Sequence, residues 1–218
     1  MIKWTADLAY AIGLITTDGS LSKDKRHINL TSKDLDQIKT FAKILGLKNK
    51  IGKKKSSYSP RKECFQIQFG NVELYHFLEK IGLEPNKTKT LSSLKIPNIY
   101  FGDFLRGHLD GDGCTYSYWD PRWKSSFMFY TVFICASKKH LEWLKERIKN
   151  LYKIEGRIST HKTWFNLRFA KYDSLKLLNK IYYRNNLPYL KRKKCKIDDA
   201  LSIINKRAEV LELVDRLA

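Results

Sequence analysis

Ala11-Ile12-Gly13-Leu14-Ile15-Thr16-Thr17-Asp18-Gly19 and Leu105-Arg106-Gly107-His108-Leu109-Asp110-Gly111-Asp112-Gly113 are near-copies of one another. Each has glycine third, leucine or isoleucine fifth, and an Asp-Gly pair at its end. Their acids, Asp18 and Asp112, stand 94 residues apart in a chain of 218. An apolar helix closed by the same carboxylate in each half predicts two copies of one folding unit, with the two acids meeting near a pseudo-two-fold axis. Gly13 and Gly107 sit about a turn before the acids, on faces that would let two helix backbones approach closely.

Working outward, the first half reads as a helix over Asp7 to Thr17, stopped at Asp18-Gly19. Two strands follow between Ser20 and Ser32, around the polar turn Lys23-Asp24-Lys25. Helical spacing returns from Asp34 to Leu45 (Leu35, Ile38, Phe41, Ala42, Leu45) and ends at Gly46. A hairpin then returns along Phe65-Gln66-Ile67-Gln68-Phe69, whose strict alternation predicts a sheet with one buried face. Val72 to Ile81 closes the unit as a helix, and Leu83 to Pro97 is a linker.

The second half repeats the order. A helix runs from about Phe101 to Asp112-Gly113, strands lie near Thr115–Trp119 and Phe127–Ala136, and a helix covers Lys139–Leu151. A hairpin spans Ile154 to Phe169 and a helix runs from Tyr172 to Tyr182. Thr31-Ser32-Lys33 and Ala136-Ser137-Lys138 are offset by 105 rather than 94, which places about 11 extra residues in the second copy, around Tyr118 to Ser126. A last helix, Ile197 to Leu217, has no counterpart. The fold expected is α/β in the broad sense (α+β): two αββαββα units over 1–82 and 98–196, a linker over 83–97 and a terminal helix over 197–218.

Forty-two Lys and Arg against 22 Asp and Glu give a net charge of +20, a field that attracts polyanions, nucleic acid before anionic membrane. A hydrophobic content of 43% with 13% aromatics predicts a folded globule. Four widely spaced cysteines with no C-x-x-C pair argue against a zinc site or a disulfide framework and fit reduced thiols inside a cell. The apolar stretch Leu8–Ile15 follows Asp7 and ends in Thr16-Thr17-Asp18, so it is not read as a signal peptide. No apolar run approaches the roughly 20 residues that span a bilayer, and a soluble protein is expected.

Two carboxylates brought together repel unless a proton or a divalent cation lies between them. Hard oxygen ligands favour Mg²⁺ over zinc, and such ions can activate water and stabilise the leaving oxygen in phosphodiester hydrolysis. At the sixth motif position Thr16 stands opposite Asp110. Because the first copy does without an acid there, both are read as local capping or hydrogen-bonding groups.

These features resemble the single-chain, two-motif LAGLIDADG homing endonucleases. The likeness covers both motifs, the element order after each, and the run Gly82-Leu83-Glu84-Pro85-Asn86-Lys87-Thr88-Lys89-Thr90-Leu91 leading into Phe104-Leu105-Arg106-Gly107. Motif one departs from the family pattern at Ile12, Thr16 and Thr17 but keeps the acid. The resemblance implies a saddle of two antiparallel sheets with the motif helices packed at its centre. It implies divalent metal on Asp18 and Asp112, helped by backbone oxygens of Thr17 and Gly111: Mg²⁺, with Mn²⁺ substituting and Ca²⁺ binding without cleavage. It implies cutting of both DNA strands across the minor groove to leave short 3′ overhangs. Lys89 and Lys193, 104 residues apart and so nearly in the offset of the second copy, match the family's basic residues near the scissile phosphates, with Lys87 and Lys191 as alternatives two residues away. Ser32-Lys33 and Ser137-Lys138 stand where relatives carry a polar residue that orders water.

Strand alternation predicts the DNA-reading face. With Phe65, Ile67 and Phe69 inward, Gln66 and Gln68 face out; so do Trp164, Asn166 and Arg168, and, with Ile154 and Ile158 inward, Arg157, Ser159 and His161. Such side chains read base edges, while Lys53, Lys54, Lys55, Arg61, Lys162, Arg122 and Lys124 would hold phosphates. The partner expected is a long asymmetric duplex bound by a monomer, in an archaeal cytoplasm or an organelle matrix. The alternatives are a maturase bound to its own intron RNA and a non-cleaving DNA-binding protein.

Overall fold

The computed structural model describes residues 2–55 and 63–217, with side chains up to Arg207 in the last helix. The first unit runs α1 (Ala6–Asp18), β1 (Gly19–Leu21), β2 (His27–Ser32), α2 (Leu35–Ile44), β3 (Gly52–Lys55), β4 (Glu63–Gly70) and α3 (Val72–Ile81). After a 3₁₀ turn at Asn98–Tyr100 the second runs α4 (Phe101–Asp110), β5 (Cys114–Trp119), β6 (Phe127–Cys135), α5 (Lys138–Tyr152), β7 (Arg157–Thr160), β8 (Phe165–Phe169) and α6 (Lys171–Ile181). The last helix is α7 (Lys191–Leu217). The two sheets have the same antiparallel order, β1-β2-β4-β3 and β5-β6-β8-β7.

α1 starts where Thr5 Oγ1 accepts from Leu8 N at 3.0 Å, a hydroxyl N-cap. Leu8 to Thr16 are then buried without a break, and so is every residue of α4. Helices buried on all sides belong at the centre of a molecule, and these two pack against each other there. Their backbones touch: a Cβ added at Gly107 would collide with the Tyr10 carbonyl, and one added at Gly13 would lie 2.7 Å from His108 N.

Each sheet lays one face on the helices. In the first, Ile28, Leu30, Ile67 and Phe69 are buried; in the second, Phe127, Phe129, Phe133, Leu167 and Phe169 are. The two clusters merge through α1 and α4 into one core. Residues 83–97, expected as a linker, are part of that core: Leu83, Leu91, Leu94 and Ile96 are buried. Their backbone is tied down by Ser137 Oγ on Leu91 O at 2.5 Å and Arg147 on Ile96 O at 2.8 Å.

Two boundaries differ from the expectation for a physical reason. α4 stops at Asp110, two residues before its acid, because Lys193 Nζ donates to the carbonyls of Leu109, Gly111 and Gly113 at 2.6–2.8 Å and so satisfies them in place of a further helical turn. α7 starts at Lys191, six residues earlier than expected, so that lysine projects from its first turn. The extra residues of the second copy lengthen the β5–β6 hairpin, whose loop closes through Asp120 N on Ser126 O and Ser126 N on Trp123 O. Among the described residues no helix is long and apolar enough to cross a membrane.

Candidate active site and nucleic-acid face

The C-terminal ends of α1 and α4 open into one crevice, lined by Asp18, Asp110, Gly111 and Asp112 together with Ser32, Gln37 and Arg192. The two helix ends are interlocked. A Cβ on Gly111 would lie 3.1 Å from Asp18 Oδ2, so the Asp18 carboxylate lies over the glycine that precedes the other acid. Thr17 occupies the same place from the other side, its Oγ1 turned back to Gly13 O and Leu14 O.

Burial and the charge of Asp112 push the Asp18 carboxyl up to about 7, against the pull of Lys193 and Lys87. Asp112 reaches solvent at the mouth of the crevice, yet protein crowds its other sides and raises its carboxyl too, opposed by the same lysines. Two acids held above their ordinary range chiefly by burial thus stand together in a crevice that Arg192 also lines. Among the described residues no group of three or more His, Cys, Asp or Glu side chains is set to hold a metal. Two carboxylates and the backbone oxygens beside them are ligand types that would suit a hard cation rather than zinc.

The lysines are placed symmetrically, though not as the residue count implied. Lys193 is buried and donates to Gly113 O at 2.7 Å; Lys87 is buried and donates to Gly19 O. Each ammonium thus rests on the carbonyl of the glycine that follows its unit's acid. Lys89 is exposed on the outside of its turn, and Lys191 is likewise exposed. Spacing put Lys89 opposite Lys193; the geometry puts Lys87 there, because the segment after α3 makes one tight turn, Leu91 N to Lys87 O at 2.8 Å, where the second unit has the start of α7. Burial lowers Lys87 to about 8 against the attraction of Asp112 and Asp18, and lowers Lys193 as well.

Asp110 is not a local cap. Its Oδ2 accepts from Tyr10 Oη of α1 and from Leu190 N, both at 2.8 Å, so it brackets the two motif helices and the entry to α7. Thr16 does bond locally, to Ile12 O at 2.7 Å. Sequence reasoning missed three neighbours. Gln37 is buried on α2 with Nε2 unpartnered, its Oε1 accepting from Ser32 Oγ at 2.5 Å. A glutamine on the apolar side of a helix, one residue before Ile38, was its signal. Asp34 and Arg192 clasp each other across the crevice through two bonds of 2.8 Å, joining the first unit to α7. Ser137, the counterpart of Ser32 in the repeat, is turned away to Leu91 O.

The faces turned away from the helices carry most of the expected DNA-reading residues. In the first sheet Asn29, Gln68, Gln66 and Lys54 share that face by register. Lys53 and Lys55 alternate to the other side, where Lys53 pairs with Glu63 at 2.9 Å. Arg61 lies outside the described residues. In the second sheet Arg157, Ser159, Asn166 and Arg168 face out together, Arg157 directly opposite Arg168. His161 and Trp164 stack at the β7–β8 turn with ring centroids 5.3 Å apart, and Asn166 Nδ2 bonds His161 Nε2 at 2.9 Å. Lys124 and Lys162 are exposed, while Arg122 folds onto Asp120 at 3.1 Å and braces its loop.

The raised acid has a sign that can be checked without DNA. Between about pH 4 and pH 7 folded Asp18 keeps a proton that the unfolded chain has released, so its contribution to stability falls as pH rises through that window and stays low above it. In chelator, Asp18→Asn is expected to raise Tm relative to the natural chain at pH 8, and to raise it clearly less at pH 5. Equal differences at both pH values, read by thermal unfolding, would contradict the raised carboxyl.

Residues 5–82 match the model of the LAGLIDADG-like domain family. No curated protein is close enough in sequence to be matched. Among solved structures, the meganuclease I-SmaMI bound to uncleaveable DNA aligns over 98% of both chains at 15% identity, with a TM-score of 0.63. The homing endonuclease I-WcaI bound to its DNA recognition sequence aligns over 88% of both chains at 14% identity, with a TM-score of 0.61. The N-terminal LAGLIDADG domain of DUF199/WhiA aligns over 90% of this chain and 88% of that one at 18% identity, with a TM-score of 0.57. The likeness spans both units of the chain.

Proposed function

We propose that this chain, built on the two-domain LAGLIDADG fold, is a site-specific DNA endonuclease that hydrolyses both strands of a duplex with the aid of a divalent cation. The observation that carries the reading is the pair Asp18, which ends α1, and Asp112, two residues past the end of α4, meeting in one crevice close to two buried lysines.

Asp18 and Asp112, with the Thr17 carbonyl, would hold Mg²⁺; the Gly111 carbonyl, expected as a fourth ligand, already accepts from the Lys193 ammonium at 2.6 Å. When bound, that ion supplies activation of water and stabilisation of the leaving oxygen. Lys87 and Lys193 are tethered to the Gly19 and Gly113 carbonyls, so their charges stay beside the acids and favour a phosphate drawn towards each. Gln37 Nε2 supplies an unspent donor at the edge of the same crevice. The sheet faces bearing Gln66, Gln68, Arg157 and Arg168 would lie against the duplex, and their two-fold relation would set one lysine towards each strand with the acid pair shared between them.

Lysine placement yields a direct prediction. Lys87→Met is expected to slow cleavage by about 10²–10³-fold, the range for removing one preorganised donor, while Lys89→Met leaves the rate within about twofold. The reverse order in single-turnover assays would restore the spacing-based choice of Lys89.

Site specificity is tested by selecting bound duplexes from a randomised library, digesting them with Mg²⁺ and sequencing both ends. The expected result is one enriched asymmetric sequence with paired cuts leaving 3′ overhangs. Enrichment no better than random sequence, or blunt and scattered ends, would overturn the proposal.

A further inference from the structure

The two outward sheet faces differ in chemistry. That of the first carries hydrogen-bonding side chains, Asn29, Thr31, Gln66 and Gln68. That of the second carries three tyrosines on adjacent strands. Tyr116 of β5 lies directly opposite Tyr130 of β6, with Tyr118 two residues along. Ring centroids are 5.0 Å apart for Tyr116–Tyr130, 6.4 Å for Tyr116–Tyr118 and 6.2 Å for Tyr118–Tyr130, all nearly parallel. The Arg168 guanidinium sits 5.2 Å from the Tyr130 ring centre, and Arg157 stands across from Arg168. Tyr116 and Tyr118 are 39% and 44% exposed, in a row that ends in two like charges.

That row needs a partner. Like charges directly opposite on a sheet destabilise it, so Arg157 and Arg168 fit an anionic or acceptor-rich ligand. The rings are stacked on one another and the Tyr118 and Tyr130 hydroxyls bond each other, which leaves ring edges, the Tyr116 hydroxyl and the remaining valence of that pair rather than open faces for a ligand. An unpaired base stacks on a free ring face; a base edge in a groove meets an apolar edge with a hydroxyl beside it. Thymine offers that pairing, an O4 acceptor next to the C5-methyl group, against the O–H donor and ring edge of tyrosine.

Building on the endonuclease reading, we infer that the second sheet reads a thymine-bearing half-site through Tyr116, Tyr118 and Tyr130, with Arg157 and Arg168 on neighbouring guanines or phosphates, whereas the first sheet reads its half-site by hydrogen bonds alone. The target is then asymmetric in chemistry as well as in sequence.

Replacing thymine by uracil removes only the methyl group and tests this. In the selected duplex, each substitution in one half is expected to weaken binding about fourfold for a buried methyl, with little change in the other half. The triple variant Tyr116→Ser, Tyr118→Ser, Tyr130→Ser, its fold checked by circular dichroism, should bind thymine and uracil duplexes equally. Binding that ignores uracil throughout, a triple variant with an undiminished uracil penalty, or equally tight binding of single strands would overturn the inference. Failure to enrich any duplex at the selection step would instead overturn the endonuclease reading on which it rests.

Discussion

Gly107→Ala is expected to destabilise the chain by about 3 kcal/mol or more, at the upper end of overpacking costs, and Gly107→Val to prevent folding. The added carbon would meet the Tyr10 carbonyl, and the next neighbour is Gly13 Cα at 3.1 Å, so the obstacle is backbone on both counts. Relief requires α1 and α4 to move apart, and every residue of α4 is buried. Separation would therefore open the core that joins the two units, and with it the crevice. Gly13→Ala should behave alike. Gly46→Ala is the control: that glycine has φ of +62° and nothing within 4 Å, so only the left-handed backbone is strained, at roughly 1–2 kcal/mol. Urea unfolding reads all three, and a Gly107→Ala midpoint close to that of Gly46→Ala would mean the helices are not in backbone contact.

Asp18→Asn and Asp112→Asn are each expected to reduce double-strand cleavage by about 10³-fold or more, the scale of losing a principal charge in a preorganised site, while affinity for the selected duplex stays within about threefold. Both residues lie at helix ends in the crevice, away from the outward strands that would meet the bases. Because Asp18 lies over Gly111, the Asp18 variant should slow cutting of both strands rather than one. Nicking of a single strand at an undiminished rate by either variant would show that the two acids serve separate, independent centres.

The parts of this molecule that were legible in its sequence are those governed by periodicity. Unbroken apolar character from Leu8 to Ile15, repeated glycines and terminal acids identify α1 and α4 and their contact. Alternation in Phe65–Phe69 and Phe165–Phe169 assigns the faces of both return strands, and β1 to β8 come along the chain, between the helices, in the order expected. Irregular segments were opaque. Lys87 and Lys89 differ by two residues in a turn whose path no repeat count specifies, and only the bond to Gly19 O separates them. The early start of α7 and the early stop of α4 share one cause, Lys193 serving three carbonyls of a distant helix. Asp110 looked dispensable because its copy is Thr16, yet its partners Tyr10 and Leu190 are 100 and 80 residues away. Lys53 looked like a phosphate contact until register turned it towards Glu63.

On the proposed reading, a cation held between Asp18 and Asp112 makes this fold a nuclease. The test is to incubate the unaltered chain with its selected duplex, each strand labelled, in Mg²⁺ and in EDTA, and to measure binding and cutting on the same samples. Binding is expected in both, and cleavage of both strands in Mg²⁺ alone. A duplex that is bound but left whole in Mg²⁺, or one cut equally in EDTA, would contradict that reading.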